Sequence, residues 1–148
     1  MQMIRPLSAA LLMTLSIVGA SNAQTTPPMT GVLSAQLSGA SEIPPVTSNG
    51  SGTLEATVNT QTMMLSYTVT YAGLSGPATA GHFHGPAAAG MNAGIALPFS
   101  GSLASPIKGQ ATLTATQLGQ LMAGNWYVNL HTAANPSGEI RGQVMVKP

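Results

Sequence analysis

The chain has 148 residues, 44% hydrophobic and 5% charged, with a formal net charge of +1 and no cysteine. Without cysteine, disulfide staples, thiol chemistry and zinc ribbons are excluded. The lack of aspartate and the presence of only three acidic residues exclude a carboxylate calcium cage and an aspartate-dependent triad, and no basic excess steers it toward nucleic acid.

In chain order, Arg5 precedes the apolar stretch Leu7 to Ala20, and Ser21-Asn22-Ala23 is a small-x-small triplet suited to signal peptidase. Residues 1–23 read as a signal peptide, because the apolar stretch of about 14 residues is too short for a membrane-spanning helix. No membrane span is expected in the mature protein, which is placed in the periplasm or outside the cell. Residues 24–30 form a flexible, proline-containing lead-in. The remainder, residues 31–148, fits one domain of a size that buries a core without disulfides.

Val32, Ser34 and Gln36 alternate with Leu33, Ala35 and Leu37, the period-two pattern of a half-buried strand. Pro44-Pro45 and Asn49-Gly50 end it with turn chemistry. "TLEATVN" and "MMLSYTVTYAG" alternate again around Asn59-Thr60-Gln61, as in an antiparallel hairpin with Leu54, Ala56 and Val58 facing inward and Leu65, Tyr67, Val69 and Tyr71 lining one face of the partner strand. "ATAGHFHG" is the next strand, and "GIALPFSG" a short one that Pro98 assigns to an edge.

The period then changes. Leu118, Leu121 and Met122 are spaced for a helix over 115–123, with Thr114 and Gln117 as a capping box and Gly124 as the stop. "NWYVNLHT" and "GEIRGQVMVK" are the last two strands, joined by a type I turn with Pro136 at i+1 and Gly138 at i+3. Seven or eight strands with one short helix, and no alternating strand and helix pattern, predict an all-β fold: an antiparallel β-sandwich or flattened barrel.

All three histidines fall in two of these strands. His82 and His84 point to one face about 6.6 Å apart along the strand, with Phe83 on the other face. His131 shares a face with Tyr127 and Asn129. If the two strands are neighbours, three imidazoles meet and can hold one copper or zinc ion, the metals that suit imidazole. The bland alternative is a rim of hydrogen-bonded histidines with nothing bound. Met91 could add a thioether, although a loop methionine is the simpler reading. Glu139 and Arg141 share a face of the last strand, where Glu139 could orient an imidazole. A structural ion pair or backbone clamp around the turn is the favoured reading of the two.

"LSGASEIPPVTSNGSGTLEATV", "LSYTVTYAGLSGPATAGHFHGPA" and "GNWYVNLHTAANPSGEIRGQV" resemble, in order, the blocks of the CHRD domain, with "HFHGPA" and "YVNLHTAANPSGEIRGQ" the most specific. The resemblance spans nearly all of residues 31–146. It implies an extracellular β-domain, of a kind named after chordin and also found alone in exported bacterial proteins, and it brings no general biochemical activity. A more distant likeness is to Cu/Zn superoxide dismutase, whose H-x-H pair binds copper and is matched by His82 and His84. The missing aspartate, disulfide and further histidines exclude a bridged two-metal site and leave room for one copper. Two readings follow: an exported domain binding one copper or zinc ion through His82, His84 and His131, and a metal-free extracellular module binding protein or cell-surface partners. No catalytic residue is assigned, and single-metal redox activity stays open.

Overall fold

A computed structural model describes residues 29–148, so the expected signal peptide and all but the end of the lead-in lie outside the described residues. The elements are β1 (Thr30–Ser38), β2 (Ser51–Asn59), β3 (Met64–Ala72), β4 (Ala78–His84), β5 (Ile95–Pro98), β6 (Ile107–Thr112), α1 (Ala115–Met122), β7 (Tyr127–Thr132), β8 (Ile140–Gln143) and β9 (Met145–Val146). A single 3-10 turn, Gly39–Ser41, follows β1.

All strand pairs are antiparallel and run in the order β5-β4-β7-β8-β1-β2-β3-β6, with β9 pairing β1 outside that path. The sheet curls until its two ends face each other over one core, which is the expected flattened barrel. Tyr67 of β3 meets Phe83 of β4 edge to face at 5.2 Å between ring centroids, and Phe99 stacks on Tyr67 at 5.0 Å. These contacts join strands at opposite ends of the sheet order, and such aromatic pairs add roughly 0.5–1.5 kcal/mol beyond their area burial.

Period two governs the inner face. Leu33, Ala35 and Leu37 of β1, Leu54, Ala56 and Val58 of β2, and Leu65, Tyr67 and Val69 of β3 are buried, as expected, while Tyr71 is partly buried. The β2–β3 hairpin turns through Thr60–Met63, where Asn59 Oδ1 accepts from the Gln61 and Thr62 amides. The helix has its capping box at Thr114 and Gln117, and Gly124 ends it with φ 74°. Pro98 ends β5, an edge strand, where a missing N–H costs no ladder bond.

Two features depart from the expected elements. β6 is a strand that periodicity did not mark, since Ile107 is its one buried residue. It pairs with β3, and Gly109 leaves the space that the Tyr67 ring fills. The last expected strand is broken at Val144, whose amide turns to the Trp126 carbonyl at 2.9 Å.

β7 is buried along its entire length, between β4 and β8. Val128 and Leu130 enter the core, so Tyr127, Asn129 and His131 lie on the outer face. The loops after β4 and β7 cover that face, and the polar side chains beneath them are secluded.

Candidate metal centre

The register of β4 against β7 sets His82 opposite Asn129, His84 opposite Tyr127 and Ala80 opposite His131. His131 is therefore the diagonal neighbour of His82, close enough for long side chains to touch. His82 Nδ1 and His131 Nε2 are 3.1 Å apart, and the His82 and His84 rings stand at 89° with centroids 5.4 Å apart. All three histidines offer one ligand atom each, mutually within 4.8 Å. Two atoms bound to one ion at about 2.0–2.1 Å stand roughly 2.9–3.4 Å apart when adjacent, and the His82–His131 spacing falls in that range. The widest spacing requires a side-chain displacement on the order of 1 Å to close on one ion.

The two buried rings are fixed from behind. His84 Nδ1 lies 3.0 Å from the Ala93 carbonyl, and His131 Nδ1 lies 2.9 Å from the Pro136 carbonyl. A carbonyl oxygen only accepts, so the ring proton belongs on Nδ1 and the Nε2 lone pair points into the cluster. This is the usual arrangement behind a metal-bound imidazole. Burial holds both His82 and His84 below the ordinary imidazole range, with neighbouring imidazoles adding to the effect. His82 is the most exposed of the three and faces the approach from solvent.

Asn129 completes the cluster. Its Oδ1 lies 3.0 Å from His84 Nε2 and 3.1 Å from His131 Nε2, in the gap between those two rings. Its amide nitrogen flanks Gly138 together with Glu42 Oε1, a buried oxygen that closes no hydrogen bond among the described residues. Gly138 has φ 129° and no room for a Cβ, which would strike Glu42 and Asn129. Burial pushes the Glu42 carboxyl up, against the Arg141 guanidinium and the Asn129 amide, which pull it down.

Tyr127 lies flat against His84, at 4.8 Å and 2° between planes, and the Arg141 guanidinium sits 3.4 Å from the Tyr127 ring centroid. Arg141 also donates to Asn92 Oδ1 at 2.8 Å and to the Met91 carbonyl at 2.5 Å, pinning the loop that presents Ala93 to His84. The Met91 side chain itself is exposed.

Residues 33–144 match the CHRD domain. The chain belongs to the CHRD domain family. No curated protein and no solved structure matches it significantly.

Within this CHRD domain, Glu139 contacts no imidazole. It accepts from the Ser48, Ser75 and Thr132 hydroxyls at 2.6–2.7 Å and from the Ser75 amide at 2.8 Å. Burial pushes its carboxyl up, but these donors outweigh that and bring it to about 2. Glu139 is thus a clamp joining three loops, and Arg141 makes no ion pair with it among the described residues. Sequence reasoning missed Asn129 and Glu42. The only available signal was the face that Asn129 shares with His131. A concavity of about 750 Å³ lies elsewhere, on the outer face of β2, β3 and β6 between Glu55, Lys108 and Lys147. Glu55, Lys108 and Lys147 are exposed on that face. No helix among the described residues is long and apolar enough to cross a membrane.

Proposed function

We propose that this CHRD-domain protein is exported to the periplasm or beyond the cell and binds a single copper or zinc ion through His82 Nδ1, His84 Nε2 and His131 Nε2. The observation that carries the reading is the pair of buried imidazoles backed by the Ala93 and Pro136 carbonyls, with lone pairs aimed at a common point. A hydrogen-bonded histidine rim has no need to converge three ring nitrogens in one place. Export rests on the basic start, short apolar stretch and Ser21-Asn22-Ala23 of the sequence.

Imidazole donors favour copper and zinc over calcium and magnesium. A bound ion would supply Lewis acidity or, as copper, one-electron exchange, with solvent access on the His82 side. Storage or sequestration of the metal is the simplest use of such a site.

Thermal unfolding of the metal-free protein with added Cu(II) or Zn(II) tests this. A free metal concentration of 100 times Kd stabilises by about 2.7 kcal/mol, which raises Tm by roughly 10 °C in a domain of this size. Chelation should reverse the shift. No shift with either metal would overturn the reading and give the lead to a metal-free interaction module.

A further inference from the structure

The side chain between the two buried imidazoles has no donor of its own to meet. His84 and His131 each face two acceptors, a backbone carbonyl at Nδ1 and Asn129 Oδ1 at Nε2. A neutral imidazole has one N–H, so one contact of each ring sets acceptor against acceptor whichever tautomer it adopts. His82 Nδ1 can donate to His131 Nε2, but nothing in that exchange reaches Asn129 Oδ1.

Turning the Asn129 amide over would give both Nε2 atoms a donor. It would also set Oδ1 beside Glu42 Oε1, a buried oxygen without a hydrogen-bond partner among the described residues, where the amide nitrogen lies now. With the amide nitrogen on the Glu42 side, the Asn129 oxygen stays inward. A cation among these four atoms satisfies all of their lone pairs at once.

Distances support the same conclusion. His82 Nδ1, His131 Nε2, Asn129 Oδ1 and His84 Nε2 follow one another at 3.1, 3.1 and 3.0 Å. Each step falls within the roughly 2.9–3.4 Å expected between adjacent ligands of one ion. Asn129 Oδ1 fills the gap between His84 and His131, where a fourth ligand belongs.

We propose that Asn129 Oδ1 is the fourth ligand of the ion, giving a site of three imidazole nitrogens and one amide oxygen, and that Glu42 is the positioning residue that keeps this oxygen turned inward. The inference rests on the three-histidine reading. Glu42 touches no metal in this scheme and acts through Asn129 alone.

Electron paramagnetic resonance and affinity measurement on the Cu(II)-loaded full chain, for wild type, Asn129→Leu and Glu42→Gln, provide the test. Asn129→Leu should retain one equivalent, bind it roughly 10- to 100-fold more weakly, and show altered parallel g and hyperfine values. Glu42→Gln lets the amide turn over, so it should weaken copper in the same direction while the metal-free protein melts no lower than wild type. A merely structural asparagine or glutamate would lower the melting temperature and leave the spectrum unchanged. Wild-type spectra and affinities in whichever variants fold would overturn the inference and leave the three-histidine site standing. Absence of any bound equivalent in wild type would overturn both.

Discussion

His82 Nδ1 stands 3.1 Å from His131 Nε2, although 49 positions separate them in the chain. Antiparallel pairing of β4 with β7 produces this closeness, and it differentiates the three histidines. His82 is partly exposed and has no backbone carbonyl behind its ring among the described residues, whereas His84 and His131 each satisfy one. His82→Ala should therefore abolish tight metal binding with little loss of metal-free stability. His84→Ala and His131→Ala should abolish it too and also destabilise the metal-free protein by about 1–2 kcal/mol, since each leaves a carbonyl unpaired. Urea unfolding of the three metal-free variants measures the difference, and equal stability losses would contradict it.

Glu139 holds three hydroxyls and one amide in a buried clamp. Its folded value of about 2 lies below the ordinary 4.5, so the unfolded chain takes up the proton first as the solution is acidified. The stabilisation is complete above about pH 5 and is lost as pH falls through 4.5 toward 2. Glu139→Gln should cost at least about 2 kcal/mol at neutral pH and flatten this acid limb, because charged hydrogen bonds are replaced by neutral ones. Denaturant midpoints from pH 7 to pH 2 provide the check, with one metal equivalent retained throughout at neutral pH.

Arg141 sits against Tyr127 and pins Met91 and Asn92, and it makes no hydrogen bond to His84 among the described residues. Arg141→Ala should lower Tm through a stability loss on the order of 3 kcal/mol, the sum of a lost cation–π contact and two lost charged hydrogen bonds. Binding should keep its stoichiometry and weaken less than tenfold, because every ligand remains. Calorimetric titration of the folded variant decides this, and loss of the equivalent would make Arg141 part of the site itself.

Alternation made β1, β2 and β3 legible in the sequence, because each buries one face and exposes the other. The capping residues Thr114 and Gln117 marked the helix for a local reason as well. β6 was not legible: with Ile107 alone buried, its place depends on β3 and on Tyr67 packing over Gly109. Period two put His82 with His84, and His131 with Asn129, on common faces. It could not show that β4 and β7 are neighbours, since strand adjacency is a property of the whole sheet. Glu42 stayed hidden for the same reason, as it reaches Asn129 from a loop after β1 that no local pattern ties to β7.

The convergence of three imidazoles on one ion is tested most directly by electron paramagnetic resonance of the purified protein loaded with one equivalent of Cu(II). The spectrum should show a single species whose nitrogen superhyperfine structure reports imidazole ligands, and that species should be lost in both His82→Ala and His131→Ala. A spectrum of unbound copper in the wild type, or the same bound species persisting in the folded variants, would contradict a shared site.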